Sequence, residues 1–181
     1  IDHLKAMMVR AKEENDKIEI NNDVVDFTQL VEELKEMFIH EMAKKDIEFI
    51  TSIKINTPAV YTDALRISQV ITNLLSNALK FTNPGGKVTF QVTELKSPDE
   101  TAHFQVRIED TGVGMSEEFQ KHLFNALERE HNTTKSGIQG TGLGLAITKN
   151  LVTLLGGTLT YNSMLGIGTE FTVTFKAKKA E

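Results

Sequence analysis

Three segments alternate apolar and polar residues with a period of two: Val88, Phe90, Val92; then Phe104, Val106, Ile108; then Phe171, Val173, Phe175. Side chains on a strand point alternately to its two faces, so each segment offers one apolar face and one polar face. A sheet built from them must bury only one side. The covering layer is also legible. Asp26 with Gln29 three positions on forms an N-terminal cap. It opens a helix whose apolar stripe is expected to be Phe27, Leu30, Val31, Leu34, Met37 and Phe38. Asp63 caps a second helix with Ile67, Val70, Ile71, Leu74, Leu75 and Ala78 along one side. A third helix is expected from about Gly142 to Leu155, ended by Gly156-Gly157.

The remaining strands are expected within Ile18–Val25, Glu48–Ile55, Ala59–Thr62 and Thr158–Asn162. Asn83-Pro84-Gly85-Gly86 turns the chain after the second helix, and Ser116 with Glu117 and Glu118 starts a short helix ending near Phe124. Helices fall between groups of strands and do not follow each one. The fold class is therefore α+β: a two-layer sandwich with a mixed, mostly antiparallel sheet covered by three helices on one face. Ile1, Leu4, Met8 and Ala11 add a short N-terminal helix. It lies either on the core of the domain or at the end of a longer helical hairpin. The division expected is residues 1–17 as that helix and residues 18–181 as the main domain.

Bulk properties remove several classes of function. With 181 residues there is room for one domain with a substantial core and a short appendage. Net charge is −5 and no basic stripe is present, which disfavours a nucleic-acid partner. The absence of cysteine excludes disulfides, thiolate metal sites and cysteine nucleophiles. No apolar run reaches membrane-spanning length. The chain begins with Ile1, so it is expected to be part of something longer.

Candidate chemistry concentrates in four segments. In the second helix Asn73, Asn77 and Lys80 are spaced by four and three and share one side, beside the apolar face. Amide oxygens next to an ammonium suit a magnesium–phosphate site, although a solvated helix surface carries such residues too. Asp110 ends a strand and precedes Thr111-Gly112-Val113-Gly114. A carboxylate there can accept the amino hydrogens of a purine while the glycines admit a ligand close to backbone; a plain glycine turn is the alternative. Gly140-Thr141-Gly142-Leu143-Gly144-Leu145 opens the third long helix, where backbone N–H groups favour an anion. It lacks the Gly-Lys-Ser/Thr ending of a Walker loop, its spacing is not that of a dinucleotide fingerprint, and a flexible hinge would use the same glycines. Leu123-Phe124 leads into the polar stretch 125–139, long for a plain connection and more typical of a lid; Arg129 and Lys135 within it could reach phosphate.

Taken in order and at these separations, the segments resemble the catalytic ATP-binding domain of sensor histidine kinases, a family shared with gyrase, heat-shock chaperones and mismatch-repair proteins. Asn73–Thr82 resembles the N box, Asp110–Met115 the G1 box, Leu123–Phe124 part of the F box, and Gly140–Leu145 the G2 box. The resemblance runs from about Ile18 to the C-terminus. It implies ATP and Mg²⁺ as cofactors, Asn77 as the magnesium ligand and Lys80 as a phosphate contact. It further implies Phe81 beside the adenine, Asp110 accepting from the adenine amino group with Gly112 and Gly114 around it, and Gly140, Thr141, Gly142, Leu143 and Gly144 wrapping the phosphates. Arg129 and Lys135 become lid contacts, and Thr169 joins the adenine's water network. Hydrolytic members of the wider family generally hold a glutamate one turn before the magnesium asparagine. Here that position is Asn73, whose amide is no general base.

The implied function is transfer of the ATP γ-phosphate to a histidine, in a two-component phosphorelay. A regulatory ATP/ADP-binding module and a gyrase-type ATPase are the alternatives. His40-Glu41 begins the family's phosphoacceptor box but lacks its proline, and His3, His103, His122 and His131 have no supporting motif. The acceptor is therefore expected on the dimerisation–histidine domain of the full-length kinase, with residues 1–17 as the end of that domain's hairpin. A response regulator downstream and a cytoplasmic location, with a full-length protein that can be membrane-anchored, complete the expectation. The F box departs from the family at Leu127, where a second phenylalanine is usual.

Overall fold

The computed structural model describes residues 18–97, 99–124 and 144–180. The helix expected within residues 1–17 lies outside them. The described chain runs β1 (Asp23–Val25), α1 (Phe27–Lys44), β2 (Glu48–Lys54), β3 (Val60–Thr62), α2 (Ala64–Phe81), β4 (Lys87–Leu95), β5 (Thr101–Asp110), α3 (Glu117–Gln120), α4 (Gly144–Leu154), β6 (Thr158–Met164) and β7 (Gly168–Lys179).

The strands form one seven-stranded sheet in the order β1-β3-β7-β5-β4-β2, with β6 beside β7. Among the described residues only β2 and β4 run parallel, and every other pair is antiparallel. The parallel pair follows from connectivity, because β3 and α2 intervene between those strands and carry the chain back. Strand β7 extends beyond Thr169–Lys176, the span its sequence pattern predicts. Its first half pairs with β6 and its end with β3, while β5 lies along its other side.

One face of the sheet is covered and the other is open, as the alternation requires. Val88, Phe90, Val92, Phe104, Val106, Ile108, Phe171, Val173 and Phe175 are all buried. The open face carries polar residues, among them Arg107, which donates from Nε to Glu170 at 2.9 Å and also pairs with Glu109. On the covered face, α1 meets the sheet through an aromatic cluster. The Phe27 ring lies 4.5 Å from Phe104 and 5.5 Å from Phe175, within the range of favourable aromatic pairing.

Both helix caps are as expected: Asp26 accepts from the Gln29 N–H and Asp63 from the Arg66 N–H. Along α2, all six predicted apolar residues are buried. On α1 the stripe is shifted. Phe27, Val31, Leu34, Phe38 and Met42 are buried, Leu30 is half-buried and Met37 is 59% exposed. Met37 stands about a quarter-turn round the helix from the centre of that stripe, so its methionine side chain faces outward. The helix also runs one turn further than the predicted stripe, which brings in Met42.

Candidate functional site: the α2 edge and the Asp110 loop

Helix α2 places its polar row at one border of its buried face. Asn73, Asn77, Lys80 and Phe81 are each half-buried, between the core side and solvent. The C-terminal end of this helix is fully accounted for. The carbonyl of Ala78 accepts from the Thr82 N–H at 3.1 Å, and that of Phe81 accepts from the Val113 N–H at 3.2 Å. Those of Leu79 and Lys80 accept from the Lys45 ammonium at 2.7 and 3.1 Å. No helix-terminal carbonyl is left bare, which a buried helix end demands. The Lys80 ammonium also lies 5.7 Å from the centroid of the Phe81 ring.

The Val113 bond ties α2 to the loop that follows β5. At Gly112 a Cβ would overlap the Phe81 carbonyl oxygen and the Asp110 carboxylate, so only glycine lets the loop lie this close to the helix end. Gly114 has φ +68°, and a Cβ there would overlap the Met164 carbonyl at the tip of the β6–β7 hairpin. Both sequence glycines therefore have a structural necessity beyond flexibility.

Asp110 sits at the last position of β5, opposite Thr169 in β7. Burial pushes its carboxyl up, to about 6, against the opposing pull of the Gly112 and Thr169 backbone N–H groups; neighbouring Glu109 adds a smaller upward push. The Gly112 N–H donates to Oδ1 at 2.8 Å. A carboxylate this far from its ordinary value marks a site where ionisation costs the fold something. Thr169 is buried, and its hydroxyl shares a 2.8 Å hydrogen bond with that of Ser163. Ser163 Oγ in turn accepts from the Met115 N–H at 2.9 Å and donates to the Gly168 carbonyl at 3.1 Å. Sequence reasoning missed Ser163, because a serine five residues before a glycine carries no signal until the hairpin folds.

Helix α4 enters through Asn73. Its amide donates to Thr148 Oγ1 at 3.2 Å, and that hydroxyl donates to the Gly144 carbonyl at 2.7 Å. Thr148 is fully buried, so the pair is a polar tie between two packed helices. Leu123 is buried too, and the Phe124 ring meets Tyr161 edge-on at 6.0 Å while Lys149 stands over it at 5.5 Å. Arg129, Lys135, Gly140, Thr141, Gly142 and Leu143 lie outside the described residues, as does Leu127. Of the glycine segment, Gly144 and Leu145 are described, at the start of α4.

The polar edge of α2 is thus joined through Val113 to a glycine loop presenting a shifted carboxylate, and through Thr148 to the helix that starts at Gly144. A family model described as the histidine kinase-, DNA gyrase B- and HSP90-like ATPase matches residues 62–179. The sensor protein GacS of Pseudomonas syringae pv. syringae is 33% identical over 171 residues, covering 94% of this chain and 19% of GacS. The signal transduction histidine-protein kinase BarA of Escherichia coli K12 is 32% identical over 188 residues, covering 94% of this chain and 20% of BarA. Full-length ShkA, solved in complex with AMPPNP, superposes with a TM-score of 0.71 at 26% identity, over 90% of this chain and 32% of that one. The chain belongs to this ATPase family, as an ATP-binding catalytic domain of the sensor histidine kinase type. It spans about a fifth of the length of the curated relatives named. Among the described residues no helix is long and apolar enough to cross a membrane.

Proposed function

We propose that this domain transfers the γ-phosphoryl group of ATP to a histidine on a dimerisation segment of a two-component sensor kinase, which then supplies a response regulator. The observation that carries the reading is the convergence of Asn73–Phe81, Asp110–Gly114, Thr169 and the start of α4. The site residues keep the roles that the resemblance implies. Asp110 accepts from the adenine amino group, with Thr169 beside it and Phe81 against the ring. Lys80 contacts the phosphates. Gly140 to Gly144, Arg129 and Lys135 close over them.

A magnesium site fits the donor set. Among the described residues no cluster of three histidine, aspartate or glutamate side chains could hold an ion. A cation near Asn77 would therefore take one amide oxygen together with phosphate oxygens and water, a coordination Mg²⁺ favours. Bound there, it would neutralise charge on the phosphates.

Phosphoryl transfer forms a bond from an imidazole nitrogen to the γ-phosphorus and breaks the bond to the β,γ-bridging oxygen; ADP leaves with that electron pair, and the imidazole proton passes to solvent. The protein's part is positioning and charge stabilisation. Asn73 supports this reading over hydrolysis, because an amide engaged with Thr148 does not activate water. Within the chain, His40 is exposed on α1, and the only acidic neighbour of its box, Glu41, is followed by no proline. The acceptor is accordingly assigned to the dimerisation–histidine domain, with residues 1–17 as the end of its hairpin and the domain in the cytoplasm.

The test mixes the domain with a separately produced dimerisation–histidine segment and γ-labelled ATP. Acid-labile, base-stable label on that segment is expected. Nucleotide binding without label supports a regulatory module instead, and robust hydrolysis by the domain alone, abolished by Asn73→Ala, supports a gyrase-type ATPase.

A further inference from the structure

Lys45 follows the last residue of α1, on a part of the chain that none of the nucleotide motifs includes, yet its ammonium reaches 34 residues along the sequence to the end of α2. It bonds the carbonyls of Leu79 and Lys80 at once. Of the four terminal carbonyls of α2, the Thr82 and Val113 N–H groups serve those of Ala78 and Phe81, and the Lys45 ammonium serves the two between. A cation at a helix C-terminus is favoured both by the bare carbonyls and by the negative end of the helix dipole. The surrounding turn is fixed in the same direction. Asp46, at φ +59°, accepts from the Gly85 N–H at 2.7 Å, and the Glu48 N–H donates to Gly86 at 2.9 Å. The end of α1 therefore clamps the end of α2 and the turn after it.

That last turn of α2 carries Lys80 and Phe81 and follows directly on Asn77. On its other side it meets the Asp110 loop through the Val113 bond. We infer that Lys45 is a positioning residue of the ATP site: it holds the Leu79 and Lys80 carbonyls in the final turn of α2, so that Asn77 and Lys80 face the phosphates. This rests on the assignment of the ATP site made above. Without the ammonium, both carbonyls would lose this donor and the last turn would be held less firmly, as helix ends are when a capping group is removed. The adenine contacts at Asp110 and Phe81 are held by β5, β7, the glycine loop and the bond from the Val113 N–H to the Phe81 carbonyl, and would be disturbed less.

The experiment measures binding of MgATP and of adenosine by displacement of a fluorescent nucleotide. The proteins are wild type, Lys45→Met, Lys45→Gln, Lys45→Arg, Asn77→Ala and Asp110→Asn, with urea unfolding to establish that each is folded at the assay temperature. Lys45→Met and Lys45→Gln are expected to weaken MgATP about tenfold, as a difference of one such positioned contact implies, and adenosine by less than threefold. Lys45→Arg, which keeps a cation with several donors, should recover most of the MgATP loss. Equal losses for MgATP and adenosine, or no loss in either neutral variant, would overturn the positioning role. If Asn77→Ala and Asp110→Asn bind both ligands as wild type does, the assignment of the ATP site has failed instead, whatever the Lys45 variants show.

Discussion

Asp110→Asn should stabilise the empty domain at neutral pH while removing its affinity for ATP. The carboxyl is held near 6 in the fold, against 3.8 for an ordinary aspartate. Below about pH 3 the folded and unfolded chains both hold the proton, and Asp110 contributes nothing to the pH dependence. As pH rises, the unfolded chain ionises first. Stability is then lost progressively until the folded carboxyl also ionises, and the loss is complete above about pH 7, where it amounts to about 3 kcal/mol. Asparagine never pays this cost. That figure is already net of the pull of the Gly112 and Thr169 N–H groups, and an asparagine oxygen still accepts from them as a neutral carboxyl does. The gain at neutral pH is about 3 kcal/mol, or roughly 6 to 12 °C in Tm for a domain of this size. Any fixed difference between asparagine and the neutral carboxyl is independent of pH, so the cleaner quantity is the pH dependence of the difference in unfolding free energy between variant and wild type. From urea titrations that difference should grow by about 2 kcal/mol between pH 4.5 and 7.5. A flat difference, or one that shrinks as pH rises, would refute the reasoning that burial dominates at this carboxylate.

Other outcomes follow from the same structure. If the ionised carboxylate receives the adenine amino group, ATP affinity should fall as pH drops through 6 in wild type, and competition binding across pH 5 to 8 would show no such fall if another group recognises adenine. Gly114→Ala should destabilise by about 2 kcal/mol or more, since φ +68° and the Met164 carbonyl both oppose a Cβ; an unchanged urea midpoint would mean the hairpin yields. Phe27→Ala should cost about 3 to 5 kcal/mol by emptying the centre of the aromatic cluster, read from the same titration. Thr148→Val should cost about 1 to 2 kcal/mol by removing the acceptor of the half-buried Asn73 amide, and Asn73→Ala in the Thr148→Val background should then cost little further; additive losses would show the two side chains do not interact.

The sequence by itself determined the covering of one face, because a period of two allows no other arrangement of Val88, Phe90, Val92 and their counterparts. It also determined the caps at Asp26 and Asp63, whose hydrogen bonds span three residues. The stripe of α2 was fully legible, and that of α1 only in part: Met37 and Met42 differ in exposure through their angle to the sheet, which the helix period alone does not set. Strand β7 ran past its predicted end because pairing with β5 and β3 extends it into residues of weaker alternation. Candidate site residues were found as four separate segments. Only the tertiary structure decided that the described parts of them meet, since the bonds from Val113 to Phe81, from Asn73 to Thr148 and across Asp110 and Thr169 all join distant points of the chain. It also supplied Ser163 and Lys45, polar residues whose partners are backbone groups or hydroxyls far away in sequence. Local physics writes itself into spacing, whereas a contact between remote segments exists only once the chain has folded, and the shift at Asp110 is of that kind: burial there is made by every strand and loop that surrounds it.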